Sequence, residues 1–210
     1  MAKEYYSEID FTPYNTRFPL MWNQLRKYVD FRNMSFVDLG CGGGDMVRAV
    51  SRIEGTNCIG IDKNIDREKI KPKSNISWID GDLNDVNRYM GLLINSADIV
   101  SCFSVLPYLD NYIGLLRKMA VWVPYSLIEM QYSGDGPGPK DIENDEDMER
   151  LLYSCGYVLV YWIGQTHLEI RDASRSIWLC LGSADRPTRY TTDYNYLRYH
   201  AIHGGLVYVR

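Results

Sequence analysis

Short apolar runs alternate along the chain with stretches whose apolar residues recur at helical spacing. Residues 18–31 carry Met21, Trp22, Leu25, Tyr28 and Val29 on one face, which predicts a helix. Residues 35–39 form an apolar run stopped by Gly40, the pattern of a buried strand. Helical spacing returns over 45–53, with Met46, Val47, Ala49, Val50 and Ile53 inward. Further apolar runs at 58–61, 76–79 and 98–103 predict strands two to four. Residues 109–119 then predict a helix and 126–130 a fifth strand. This alternation predicts parallel strands joined by crossover helices that cover both faces of one sheet.

The pattern changes after residue 132. Residues 133–140, SGDGPGPK, hold Gly or Pro at five of eight positions and predict a surface loop. An acidic-headed helix is expected over 141–155, with Gly156 just past its end. Residues 157–163 and 176–181 read as two more strands, close enough in sequence to pair antiparallel. From Arg186 onward no period is visible, and Tyr190, Tyr194, Tyr196, Tyr199 and Tyr208 crowd the tail. The expected organisation is a helical lid segment over 1–34, a ligand-binding domain over 35–183 and a Tyr-rich extension over 184–210.

A chain of 210 residues and 24.3 kDa suits one domain with its own core. A formal net charge of −4 offers no overall attraction to a phosphate backbone. No apolar run approaches the ~18 residues of a transmembrane helix. The N-terminus is polar and acidic, unlike a signal peptide. Cys41, Cys58, Cys102, Cys155 and Cys180 include no Cys-x-x-Cys pair and no histidine at ligand spacing. Buried reduced thiols in a cytoplasmic protein are therefore expected, and no metal set.

The most informative stretch is FVDLGCGGGDM, residues 36–46. A buried strand runs into Asp38, then Gly40, Gly42 and Gly44, then a helix. Glycines there permit positive φ and let a ligand reach the backbone, while the helix presents free N–H groups. The dinucleotide pattern Gly-x-Gly-x-x-Gly fails: its third glycine falls on Asp45 or on Val47, according to the starting glycine. The phosphate-loop ending Gly-Lys-Ser/Thr is absent as well. Asp38, before the first glycine, suits a ligand with a cationic group. Asp62 ends the second strand, where a carboxylate can accept both ribose hydroxyls. Asp82 follows the third strand and is placed to accept from an exocyclic amine, with Asp80 as its near rival. Read singly, Asp62 is a helix cap and Asp82 a turn residue. Their order behind a glycine loop favours ligand roles.

The series DLGCGGG, GID, GDL and ADIVSCFSVLPYL resembles the class I S-adenosylmethionine-dependent methyltransferases over about residues 34–182. The resemblance implies an α/β fold, a doubly wound seven-stranded sheet of order 3-2-1-4-5-7-6 with strand 7 antiparallel. It implies S-adenosylmethionine as cofactor. Asp38, Gly40, Cys41, Gly42 and Gly44 would sit by its methionyl part, Asp62 and Lys63 by the ribose, and Asp82 with Leu83 by the adenine. Residues 101–104, Ser101 and Phe103 among them, would line the bottom of the cleft. Tyr14 and Arg17 precede the first helix, where the family often closes a lid.

On the acceptor side a base is needed only for a hydroxyl or a protonated amine. The candidates are His167, Tyr132 and Glu129, with Tyr108 after the fourth strand. The Asn/Asp-Pro-Pro-Tyr/Phe clamp for planar amines is missing, as is the Lys-Asp-Lys-Glu set of ribose 2′-O enzymes. Both absences favour a small-molecule or lipid-like acceptor; transfer to an O or N of a small molecule, with no membrane partner, is the expected reaction. The tail from Arg186, with four arginines against Asp193, carries the alternative of an RNA-modifying enzyme. An inactive cofactor-binding scaffold is the non-enzymatic alternative.

Overall fold

The computed structural model describes residues 21, 22, 25, 29–65, 73–89, 91, 93, 97–132, 142–165 and 174–183. Tyr14, Arg17, His167, the Gly/Pro stretch 133–140 and the Tyr-rich tail lie outside the described residues.

Seven strands form one sheet: β1 (Ser35–Leu39), β2 (Asn57–Asp62), β3 (Ile76–Asp80), β4 (Ile99–Phe103), β5 (Tyr125–Tyr132), β6 (Leu159–Gln165) and β7 (Ser174–Leu181). Their order is β3-β2-β1-β4-β5-β7-β6. The first five are mutually parallel, and β7 runs antiparallel to β5 and β6. All of β4 is buried, as a central strand covered on both faces must be. Edge strand β3 is half-exposed along its length.

Strand alternation divides the apolar side chains between two layers. Val37, Leu39, Val100, Cys102, Ile128 and Met130 pack on α2 (Tyr112–Trp122) and α3 (Asp145–Ser154) through Leu116, Met119, Met148 and Leu152. Phe36, Ile99, Phe103, Leu127 and Ile177 pack on α1 (Asp45–Val50) and on Met21 and Leu25 of the N-terminal helical segment. The five cysteines are free and buried. Among the described residues no helix is long and apolar enough to cross a membrane.

Caps, rather than apolar period, set the helix starts. The helix expected over 109–119 begins at Tyr112, because the Asn111 side chain accepts the Gly114 N–H at 2.8 Å. Leu109 is extended and follows a 3-10 turn, Leu106–Tyr108, that contains Pro107. The helix expected from 141 begins at Asp145, where Asn144 accepts the Asp147 N–H at 3.0 Å. Its acidic first turn matches the helix dipole, and Gly156 leaves it with φ 100°. Helix α1 stops at Val50 rather than 53, and Thr56 Oγ1 donates to the Val50 and Ile53 carbonyls.

Candidate cofactor and acceptor site

The chain leaves β1 at Leu39 and turns into α1 through five residues that contain four glycines. Gly40 has φ 73°, and a Cβ there would stand 2.5 Å from Val105 Cγ2, so only glycine lets the loop after β1 pack on the segment after β4. Gly42 has φ 50°, and a Cβ there would meet nothing within 4 Å, so its face is open. Gly44 caps α1 and lies against the Trp78 ring, which fixes it by packing.

The loop is fastened to the end of β2. Gly40 and Cys41 donate their N–H groups to the Ile61 carbonyl at 2.8 and 3.1 Å. Gly42 donates its N–H to Asp62 Oδ2 at 2.8 Å, and Asn64 donates to Oδ1 at 2.8 Å. A carboxylate has about four lone-pair sites, so two backbone donors do not exhaust Asp62. The same residue lines a cleft with Gly40, Lys63, Gly81, Asp82, Leu83, Asn84, Val105, Tyr108 and Leu109. The cleft is open to solvent.

Of the residues singled out in the sequence, Gly40, Asp62, Lys63, Asp82 and Leu83 thus share one cleft, and Tyr108, a candidate base, lines it too. Asp38, Cys41, Gly42, Gly44, Ser101 and Phe103 are not part of that lining. Phe103 belongs to the apolar layer around Met46 and Leu127. Cys41 is buried, and burial pushes its thiol well up. Asp38 is 3% exposed and accepts from Ser101 Oγ at 2.7 Å. Burial pushes its carboxyl up to about 7, against the opposing effect of the Ser101 hydrogen bond, and the Asp62 charge adds to the rise.

Sequence reasoning passed over Val105, Leu109 and Asn84. Val105 and Leu109 lie in the series ADIVSCFSVLPYL that carries the resemblance, and Leu109 was expected in a helix, but neither was given a site role. Asn84 Oδ1 accepts the Asp110 N–H at 2.9 Å and ties the turn after β3 to the segment before α2.

On the far side of β4, Glu129 of β5 is fully buried. Its side chain accepts a short hydrogen bond from Ser104 Oγ, and its carbonyl accepts the Ser104 N–H at 3.1 Å. Tyr132 ends β5 three residues later.

The sheet order reverses between β1 and β4, and the cleft, with a glycine loop after β1 and acids at the ends of β2 and β3, lies at this topological switch point, where open α/β sheets bind ligands. This is the fold of the class I S-adenosylmethionine-dependent methyltransferases. The family model described as "Methyltransferase domain" matches residues 16–161, and the chain belongs to that family.

Solved structures share the fold at low identity. An arsenic(III) S-adenosylmethionine methyltransferase from Chlamydomonas reinhardtii is 18% identical at TM-score 0.56, covering 74% of this chain and 65% of its own. The N-terminal domain of EvdMO1 with S-adenosylhomocysteine (SAH) bound is 13% identical at TM-score 0.55, covering 83% and 82%. A phosphoethanolamine N-methyltransferase from Haemonchus contortus, in complex with phosphomonomethylethanolamine and SAH, is 11% identical at TM-score 0.57, covering 80% and 53%. Among curated proteins none matches the chain. The chain thus spans less than two thirds of the first and third of these structures.

The residues present fit S-adenosylmethionine. The open face of Gly42 leaves room at the loop, and Asp62 keeps acceptor capacity for a ribose. Leu83, Val105 and Leu109 offer apolar flanks for a base, with Asp82 at the rim.

Proposed function

We propose that this chain transfers a methyl group from S-adenosylmethionine to an O or N of a small-molecule acceptor. The observation that carries the reading is the cleft wall of Gly40, Asp62, Asp82 and Leu83, braced by the Gly42–Asp62 hydrogen bond. In this reading Asp62 and Lys63 hold the ribose, and Asp82 with Leu83 border the adenine. The glycine loop, with Cys41 inside it, passes the methionyl part. Asp38, set by Ser101, supplies negative potential behind that loop for a cationic ligand. Arg17 and Tyr14 cover the ligand from the N-terminal side.

The bound cofactor supplies an activated methyl on a sulfonium sulfur. The chain's own part is to position the acceptor, exclude water and, where the acceptor carries a proton, remove it. His167, Tyr132 and Glu129 are the groups assigned to that proton. The cofactor cleft is lined from the ends of β1 to β3 and from the segment after β4, which leaves the end of β5 for the acceptor. The small ligands named for the neighbours, arsenic(III) and phosphomonomethylethanolamine, support a small acceptor. Five free buried thiols support a reducing compartment, the cytoplasm.

The test is calorimetry with SAH, followed by an acceptor screen with methyl-labelled S-adenosylmethionine against small-molecule pools and RNA. Saturable SAH binding and label in a small molecule are expected. Label in RNA alone removes the acceptor assignment, and absence of SAH binding removes the whole reading.

A further inference from the structure

We propose that Asn84 is a positioning residue for the cofactor base: it fixes the Asp82 carboxylate against the opposite side of the cleft and so sets a preference for a 6-aminopurine over a 6-oxopurine. The inference rests on the methyltransferase reading above, in which Asp82 borders the adenine, and adds to it a residue and a discrimination.

The first observation is that Asn84 joins the two sides of the cleft. Asp82, Leu83 and Asn84 line it from the segment after β3, and Val105, Tyr108 and Leu109 line it from the segment after β4. The backbone N–H of Asn84 donates to Asp82 Oδ1 at 2.9 Å. Its side-chain Oδ1 accepts the N–H of Asp110, the residue after Leu109, at 2.9 Å. An amide must turn its oxygen, not its nitrogen, to an N–H donor, so this side chain has one orientation. One residue thus holds both the carboxylate and the far side.

The second observation is what else holds the segment after β3. Its start is anchored to β2, where Gly81 donates its N–H to the Asp62 carbonyl at 3.0 Å. The Tyr89 hydroxyl occupies the place of a Cβ on Gly81, which packs the same turn from below. Directly after Asn84 the helical run Leu83–Tyr89 breaks at Asp85, with φ −96° and ψ 47°. A regular helix therefore does not carry Asn84 into position. A further bond toward α2, from Lys118 to Asn87, joins exposed residues outside the cleft lining. Of these contacts, the Asn84–Asp110 bond is the one that reaches the segment carrying Val105 and Leu109.

Chemistry gives the consequence. A carboxylate has about four lone-pair sites, so the Asn84 N–H leaves Asp82 able to accept from a ligand. Adenine offers an N–H donor at its 6-position, whereas a 6-oxopurine sets an acceptor against an acceptor. A carboxylate free to swing away would forfeit the bond and escape the clash, so discrimination requires that Asp82 be held. Asp82 is exposed, and the expected ratio is therefore about tenfold, not the far larger ratio of a buried polar site.

The experiment is calorimetry on the full chain with two matched probes, SAH and its 6-oxo counterpart S-inosylhomocysteine. Wild type should bind SAH about tenfold more tightly. Asn84→Ala should weaken SAH binding by about that factor and leave S-inosylhomocysteine unchanged, so the preference disappears. Asn84→Asp, which keeps an oxygen for the Asp110 N–H, should retain the preference, as should Asn87→Ala. In an Asp82→Ala background, Asn84→Ala should cost nothing further, because it acts through that carboxylate. Equal weakening of both probes by Asn84→Ala is the mark of a merely structural residue and overturns the proposal. So does an unchanged preference in Asn84→Ala, loss of the preference in Asn84→Asp or Asn87→Ala, or a full additional loss in the Asp82→Ala background. A wild type that binds both probes equally overturns it together with the role of Asp82, and failure of wild type to bind SAH strikes the underlying reading instead.

Discussion

The backbone N–H of Gly42 donates to the side chain of Asp62 at 2.8 Å, across 20 residues of sequence. The loop after β1 and the acid after β2 are therefore one unit. The carboxylate read from the sequence as a ribose acceptor also holds the loop after β1. A change at either residue acts on both.

Gly42→Val should abolish SAH binding. The added side chain would point into the space that is open at Gly42, and its φ of 50° strains any branched residue. Circular dichroism should show an intact fold with a lowered melting temperature. Calorimetry showing wild-type affinity would refute the placement of the loop.

Asp62→Asn should cost more than an isosteric change ordinarily does. One carboxylate oxygen becomes an NH₂ group, and both oxygens now face backbone donors, Gly42 and Asn64. A donor set against a donor leaves one N–H unpaired. The expected loss is about 1.5–3 kcal/mol in SAH affinity, the range for bonds to a charged group, with a fall in thermal stability. NAD should not bind the wild type, because the third dinucleotide glycine is absent.

Asp38 should give the free protein and its complex opposite pH dependence. Burial raises its carboxyl to about 7 in the fold, above the ordinary aspartate value of 3.8. Between these values the native state binds the extra proton. Its stabilising effect is complete below about pH 4 and is lost as pH rises through about 7, by up to about 4 kcal/mol. A cationic ligand favours the ionised form, so affinity for S-adenosylmethionine should rise over the same window. Asp38→Asn should flatten both profiles, measured by denaturant melts and calorimetry from pH 5 to 8.

His167→Ala should lower turnover by about 10²–10⁴-fold on an acceptor that must lose a proton, with SAH affinity preserved. Single-turnover kinetics with labelled cofactor separates the two quantities. Full turnover in the variant leaves Glu129 and Tyr132 to take the proton.

The strands of the sheet, and the glycine and acids that now share one cleft, were legible in the sequence. Apolar runs, a glycine loop and acids at strand ends are local signals: a strand's burial and its stop are written within about six residues. The helix starts were less legible, because Asn111 and Asn144 end the preceding segment by side-chain bonds that an apolar period does not register. Tertiary structure alone decided the rest. Register across β1 and β4 brings Ser101 onto Asp38, 63 residues away, and burial then raises that carboxyl. Packing of Val105 on Gly40 makes the second wall of the cleft. The pairing of Ser104 with Glu129 depends on two strand ends 25 residues apart meeting side by side. Each of these is a contact between segments whose sequences carry no mark of one another, and only the closed sheet brings them within hydrogen-bond reach.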